Sequence, residues 1–425
     1  MSVIIFHTMV APHVQQAART LHEAGQLERF ITSVRDEPES LRQHLFTTAG
    51  RCCGLDLARE FGRRAIHDLP LNRVESHPWG ELLRIAVGRV DPDKRLTDFV
   101  WEATEIAFDK RVARRLHAGL TGVYGYEHSS LASFERARAL GLRVAYEVPA
   151  PETRYVKDLI DAETREFPEL RTAYHDYTAA REERRIARRR AEWRLADVII
   201  VASGFTRDSY LRAGLPVDKV RVIPLGAPPA IEASAAAAGG SPVNDPPVFL
   251  CAGSFSIHKG AHYLLKAWRD AGLGRFARLR VIGTLALPQR FLAPIPAGVE
   301  LLGSIPHAEL MEHYERSDAL IFPTLCDGFG MVATEAWSRG LPVITTDHAG
   351  ASDLLKTGEN GLLIKARDAD AIASVIEWCL SHRAELRAMR EASRATAARW
   401  QWSDYRRALA SALSKAGLFG ASSLQ

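Results

Sequence analysis

Short runs of β-branched and other apolar residues alternate along this chain with stretches whose apolar positions recur every three to four residues. Val3–Phe6, Val123–Tyr126, Arg143–Val148, Val198–Val201, Val220–Pro224, Val248–Ala252, Leu279–Ile282, Ala319–Phe322 and Leu341–Thr345 read as strands. Between them, Val14–Ala24, Ala132–Leu140, Thr206–Ala213, His262–Asp270 and Ala369–Cys379 carry helical periodicity. Near-continuous apolar strands alternating with amphipathic helices predict parallel sheets covered on both faces. Residues from about 35 to 110 lack this alternation and read as a helical insertion.

The alternation breaks once, at residues 226–247, where Pro, Gly, Ala and Ser cluster without a strand pattern. Such a stretch reads as an interdomain linker. The prediction is an α/β chain of two Rossmann-like domains facing a cleft, residues 1–228 and 229–395. The helical tail at 396–425 is expected to pack back on the first domain. A length of 425 residues accommodates two such domains.

Composition narrows the classes of function. Hydrophobic residues at 47% and charged residues at 25% are ordinary globular usage. Fifty-five basic against 51 acidic side chains leave a formal charge of +4, too small for bulk charge to favour nucleic acid as a partner. The five cysteines show no zinc-type spacing, and their only close pair, Cys52–Cys53, is adjacent. An odd number without a framework points to a reducing, cytoplasmic compartment. The opening MSVIIFHTMVAPH has no basic leader, and no stretch of 18 apolar residues occurs, so a membrane span is not expected.

The segment with most chemistry is PTLCDGFGMVATEAWSRGLPVITTDHAG, residues 323–350. Asp327 and Glu335 stand eight positions apart, with Gly328, Phe329 and Gly330 leading into a helix. Glycines let a ligand approach the backbone closely. The amides of Gly330, Met331 and Val332 at the helix start favour an anion, such as a diphosphate. Carboxylates beside such a turn suit hydroxyl groups. The pattern is equally that of an N-capping Asp and a solvent-facing helical Glu. In CAGSFSIHKGAHYLLKAW, residues 251–268, a strand ends at Gly253 and Lys259–Gly260 open a helix. A lysine at such a loop mouth is a point charge for phosphate.

Together these segments resemble family-four retaining glycosyltransferases of the GT-B fold. Their signature is an acidic residue, Gly-Phe-Gly, a Glu eight positions after the acid, then Gly-x-Pro-Val-Ile. Asp327, Gly328, Phe329, Gly330, Glu335, Gly340, Pro342, Val343 and Ile344 match it. The resemblance implies that Asp327 and the Phe329–Gly330 amides hold the donor sugar hydroxyls, that Glu335 holds the nucleotide ribose, and that Lys259 meets the diphosphate. Two positions depart from the pattern: the first acid is usually Glu, and Ser254 stands where relatives often carry Arg. The likeness, which covers about residues 120–150 and 195–400 with 35–115 outside it, implies that domain 1–228 binds the acceptor and domain 229–395 the nucleotide sugar.

Ligands of open α/β sheets sit at strand C-terminal ends. Glu127 and His128, ending the strand at 123, are therefore candidates near the reacting carbon, with His7, His13 and Glu147 behind them. Two Asp-x-Asp strings, Asp91-Pro-Asp93 and Asp368-Ala-Asp370, read as a loop and a helix N-cap rather than metal sites. In REERRIARRRAEWR, residues 181–194, Arg181, Arg184, Arg185, Arg188 and Arg189 fall on one helical arc opposite Ile186 and Trp193. That arc reads as a solvated basic face, or as a face for anionic lipid or an acidic acceptor.

The expected function is transfer of a hexose, with retention, from a nucleotide-diphosphate sugar to a glycan, lipid-linked or small-molecule acceptor. The sugar nucleotide is a co-substrate, with no cofactor and no metal. The rivals are an epimerase or phosphorylase of the same fold, and a nucleotide-sugar-binding protein without turnover. Polysaccharide biosynthesis is the expected setting, at the inner face of a membrane if the arginine arc meets lipid.

Overall fold

The apolar runs assemble into two parallel sheets with the same winding. A computed structural model describes residues 2–52, 57–62, 64–66, 68–231 and 245–419. Cys53, the middle of the 226–247 stretch and residues 420–425 fall outside them. In the first sheet, β1 (Val3–His7), β2 (Leu27–Thr32), β3 (Val74–Ser76), β4 (Gly122–Tyr126), β5 (Arg143–Val148), β6 (Val198–Val201) and β7 (Val220–Val222) lie in the order β3-β2-β1-β4-β5-β6-β7. In the second, β8 (Val248–Ala252), β9 (Arg278–Ile282), β10 (Val299–Gly303), β11 (Ala319–Phe322), β12 (Val343–Thr346) and β13 (Gly361–Ile364) lie in the order β10-β9-β8-β11-β12-β13. Strand order therefore reverses beside β1 and again beside β8. At such a switch point the loops leaving the C-terminal strand ends diverge and leave a crevice. Gly253 follows β8 and Asp327 follows β11, so the two motif loops flank the crevice of the second domain.

Both faces of each sheet are covered, as the unbroken apolar strands require. Phe249, Leu264, Trp268 and Ile376 fill one side of the second sheet, and Leu320, Trp337 and Val343 the other. Each fully buried Leu or Phe of this kind contributes about 1.5–3 kcal/mol of transfer free energy.

The domains exchange helices. Helix Thr153–Glu166 and the turn Pro168–Leu170 belong by sequence to the first half but dock on the second. Leu170 is buried in the cluster of Phe249 and Trp268, with Leu159, Ile160 and Phe167 packed against it. On the same helix, fully buried Glu163 meets His262 at 2.9 Å and Arg367 at 2.5 Å. Conversely, helix Trp402–Lys415 lies on the first domain, its Tyr405, Leu409 and Leu413 in the cluster of Val3 and Ile5. Arg406 fixes it through Glu23 at 2.8 Å and Gln16 at 2.7 Å.

Residues 35–115 form helices Leu41–Cys52, Leu57–Gly62, Trp79–Val90 and Arg95–Ala113, and also supply the edge strand β3. The strand departs from the purely helical expectation. Three residues, Val-Glu-Ser, are too few to show a period.

The arginine arc is corrected by the structure. On helix Ala173–Leu195, Arg185 is buried and meets Asp98 at 2.5 Å and Glu102 at 3.1 Å. Arg184 meets Glu102 at 2.8 Å and Arg188 meets Asp109 at 2.5 Å. Arg181 lies over the Tyr177 ring at 3.7 Å. The partners come from helix Arg95–Ala113, whose Asp98, Glu102, Glu105 and Asp109 are spaced four, three and four apart and so form one stripe. The arc is therefore largely a paired helix–helix contact, with Arg184 at its exposed edge beside Glu102.

Candidate functional site

The Gly253 and Gly260 turns bring the two motif loops together. Gly253 has φ +101°, and a Cβ on Gly283 would come within 1.8 Å of its carbonyl oxygen. Gly260 has φ +67°, and a Cβ there would fall 2.0 Å from the carbonyl oxygen of Pro323. Only glycine fits either approach. The His258 carbonyl accepts the Leu325 amide at 2.8 Å and the Thr324 hydroxyl at 2.9 Å, tying the turn Ile257–Lys259 to the exit of β11. As a result the Lys259 ammonium sits in direct contact with the Asp327 carboxylate.

Past Asp327 the chain turns sharply into helix Met331–Ser338, which no side chain caps. Gly330 has φ +88°, with the Phe322 ring 2.7 Å from where its Cβ would be. Val332 lies 3.8 Å from the position a Gly253 Cβ would take, so the uncapped helix start faces the Gly253 loop. Exposed Ser254 follows. The Phe329 amide donates to Asp327 at 3.1 Å. It is thus turned onto the Asp327 carboxylate two residues earlier.

Glu335 is largely buried and accepts the Tyr314 hydroxyl at 3.0 Å. His307 Nε2 lies 3.2 Å from its other oxygen, and that hydrogen bond raises the imidazole above its ordinary value.

At Gly328 the two domains approach closely. A Cβ there would lie 1.8 Å from the Pro149 carbonyl oxygen. Its own carbonyl accepts the Ser203 hydroxyl at 2.7 Å and the Thr206 hydroxyl at 3.1 Å.

On the first domain, the adjacent candidates separate. Glu127 faces the interdomain cleft, with Tyr210 Oη at 3.3 Å, Thr153 Oγ1 at 3.4 Å and Arg189 at 3.5 Å. His128 turns inward: it is 2% exposed, and its ring stacks on Trp101 at 4.8 Å. Burial, then the surrounding arginines, lower its imidazole to about 2. The cause of the reversal is Glu192, which accepts the amides of His128 at 2.8 Å and Ser130 at 3.0 Å and winds His128 to φ +75°. His128 therefore turns away from the cleft that Glu127 faces. His7 and His13 set their rings edge-on to Tyr126, and burial lowers them to about 4 and about 3. Glu147 is buried beneath them, accepts Tyr124 Oη at 2.6 Å and is raised to about 7 by burial.

A cavity of about 400 Å³ opens between helices Thr153–Glu166 and Ala173–Leu195. It runs from Glu127 and Arg189 to His258, the neighbour of Lys259. One wall thus belongs to the first domain and the far end to the turn that carries the lysine. Sequence reasoning missed Tyr210, His307 and Tyr314, and it placed Arg189 on the basic arc rather than beside Glu127. His307 and Tyr314 come from helix His307–Arg316, which carries no motif.

The Asp-x-Asp strings have structural work. Asp368 caps helix Ala369–Ser381 through the Ala371 amide at 2.9 Å, and Asp91 accepts the Thr97 amide at 2.7 Å. Among the described residues no group of three His, Cys, Asp or Glu is arranged to hold a metal ion, and no helix is long and apolar enough to cross a membrane.

Residues 237–396 match the family described as glycosyl transferases group 1. A D-inositol 3-phosphate glycosyltransferase of Corynebacterium urealyticum is 33% identical over 108 residues, 25% of this chain and 26% of that protein. The capsular polysaccharide biosynthesis glycosyltransferase CapM of Staphylococcus aureus is 32% identical over 143 residues, 32% of this chain and 37% of that protein. The chain therefore spans about a quarter to a third of these curated relatives. Likeness of fold extends further. Sucrose-phosphate synthase from Thermosynechococcus elongatus superposes with a TM-score of 0.62 over 98% of both chains at 19% identity. Anabaena HepE in complex with UDP does so with 0.60 over 98% of this chain and 100% of its own at 15% identity. Two Rossmann-like domains of the GT-B arrangement are common to all three.

Proposed function

We propose that this protein, whose residues 237–396 belong to the group 1 glycosyl transferases, moves a hexose from a nucleoside-diphosphate sugar to an acceptor hydroxyl with retention of configuration. The observation that carries this reading is the meeting of Lys259 with Asp327 opposite an uncapped helix start, all at the crevice beside β8. A diphosphate there would be met by one ammonium and by the amides of Met331 and Val332, both suited to a dianion. Glu335, held by Tyr314 and His307, would accept the ribose hydroxyls. Asp327 would turn from Lys259 to the sugar hydroxyls once the diphosphate engages the lysine.

The acceptor hydroxyl would enter from the cavity between Glu127 and His258. In the transfer, the bond from the anomeric carbon to the diphosphate oxygen breaks as the acceptor oxygen attacks from the same face. The acceptor proton passes to the departing diphosphate. Lys259 and the helix start stabilise the charge that develops on that leaving group, and Glu127 orients the hydroxyl. No protein nucleophile is needed.

A thermal-shift screen of nucleoside-diphosphate sugars against the whole chain tests the reading, because a ligand of the native state raises the melting temperature. Stabilisation by one donor, followed by its consumption with a suitable acceptor, is expected. Binding without hydrolysis or transfer across an acceptor panel would make the protein a sensor instead. A screen in which no sugar nucleotide shifts the transition would overturn the reading.

A further inference from the structure

Helices Trp79–Val90 and Arg95–Ala113 carry more apolar residues than their packing uses. On the first, Trp79, Leu83, Ala86 and Val90 are spaced four, three and four apart; on the second, Leu96, Phe99, Ala103 and Ala107 are three, four and four apart. Each set forms one stripe along its helix. All eight residues are exposed, Trp79 to 66%, Val90 to 78% and Phe99 to 56%. Neither stripe is the core face. Leu82 and Ile85 of the first helix pack on Val34, Leu57 and Phe61, and Asp98, Glu102 and Asp109 of the second meet the arginine helix.

The two helices form an antiparallel hairpin. A Cβ on Gly80 would lie 3.0 Å from Thr104 and one on Gly88 3.6 Å from Thr97, which fixes the contact line and its register. In that register both stripes fall on the outer side of the hairpin and merge into one apolar face. At 1.5 Å per residue the longer helix is about 28 Å, and two helices side by side span about 20 Å. A footprint of roughly 550 Å² is at the upper end of what a monomer leaves open. A polar rim brings it to the scale of a standard interface, about 800 Å² from each partner.

The charges at the two ends of the face decide its occupant. At the open end of the hairpin, Lys110 and Arg114 continue the stripe of Leu96 and Phe99, exposed and without partners among the described residues. At the turn, Lys94 donates to the Gly88 carbonyl at 3.1 Å, Arg95 lies over the Tyr177 ring and Asp91 accepts the Thr97 amide. Asp93 is left exposed, without a partner among the described residues. An acid at one end opposes docking of the whole face on an anionic membrane. The same arrangement is self-complementary when two copies meet head to tail about a two-fold axis. Leu83 lies midway between Asp93 and Lys110 in the hairpin register, and so sits near that axis.

We infer that the outer face of this hairpin is the surface on which two copies of the chain pair, with Asp93 of each copy opposite Lys110 and Arg114 of the other. Four helices would close over Trp79, Leu83, Leu96 and Phe99, and the alanines between them leave the hollows that large side chains of the second copy fill. Trp79 is already fixed for this, its ring edge-to-face with Phe46 at 5.3 Å, so little side-chain freedom is lost on pairing.

Sedimentation velocity of the full chain, from about 1 to 100 µM, reads the association. A dimer is expected. Leu83→Arg, which sets like charges against each other at the axis, should raise its dissociation constant at least tenfold. Charge exchange keeps the test independent of any folding defect in that variant. Asp93→Lys alone should weaken the dimer, and Asp93→Lys combined with Lys110→Glu and Arg114→Glu should restore it. A wild type that stays monomeric throughout, a dimer indifferent to Leu83→Arg, or a triple variant no tighter than Asp93→Lys would each overturn the pairing. So would a monomer that floats with vesicles of phosphatidylglycerol and phosphatidylcholine and no longer does so as Leu83→Arg, which would give the face to lipid.

Discussion

Lys259 and Asp327, 68 residues apart, are in direct contact across the crevice between β8 and β11. Each neutralises the group that the other's ligand would require, so the free site is charge-balanced and a donor must separate the pair. Lys259→Ala is expected to weaken nucleoside diphosphate binding at least tenfold, since a charge-assisted contact contributes about 1.5–3 kcal/mol. Asp327→Asn should leave the free nucleoside diphosphate bound at least as tightly, because it releases the lysine, while turnover of the full donor falls. Calorimetry with both variants checks this; a loss of nucleoside diphosphate binding in Asp327→Asn would contradict it.

Glu335→Gln keeps the shape of the ribose site and removes its charge. Free nucleoside diphosphate and full donor should both weaken, by about 1–3 kcal/mol. The same substitution replaces the carboxylate that raises His307 with a neutral amide, a weaker acceptor. An NMR titration of the variant should therefore find the His307 imidazole lower than in wild type. A change in one readout without the other would separate ribose binding from the hydrogen bond.

Glu163 gives a pH dependence of stability. Burial pushes its carboxyl up, but the His262 hydrogen bond and the charges of His262 and Arg367 outweigh this and hold it below the ordinary value. A depressed carboxylate contributes stability above its unfolded value, near 4.3, and that contribution is lost as pH falls through the folded value. Urea unfolding at pH 7 should find Glu163→Gln less stable by about 1–3 kcal/mol. The gap between variant and wild type should narrow below about pH 4. A constant gap across that range would remove the carboxylate from the account.

Arg185→Gln should destabilise the protein by about 3–5 kcal/mol, because it leaves Asp98 buried without its cation and Glu102 with Arg184 alone. Binding to vesicles of anionic lipid should be the same in variant and wild type. Unchanged unfolding combined with lost vesicle binding would restore the open basic face.

The difference between legible and hidden features follows from how local the information is. The strands β8, β11 and β12 and the 327–335 motif were readable because apolar runs and turn glycines act within a few residues. Strand β2, Leu-Glu-Arg-Phe-Ile-Thr, was hidden because the partly buried Glu28 and Arg29 interrupt its apolar run. The separation of Glu127 from His128 depends on Glu192, 64 residues from His128, capturing the loop amides. The arginine arc had a visible spacing, but its acidic complement sits on a helix with no family pattern. A stripe on one element says nothing of the element it meets.

The exchange of helices between the domains also limits how the cleft can open. Helix Thr153–Glu166 rides on the second domain and helix Trp402–Lys415 on the first, so opening must bend the chain at 150–152, 171–172 and 400–401. For the same reason the two halves are reciprocal templates. Chains 1–231 and 245–425 made as separate polypeptides would each expose the apolar face meant for the other, Leu170 with Phe167 on one and Leu409 with Leu413 on the other. They should be insoluble alone and reassemble when coexpressed, which makes the protein a natural candidate for fragment complementation.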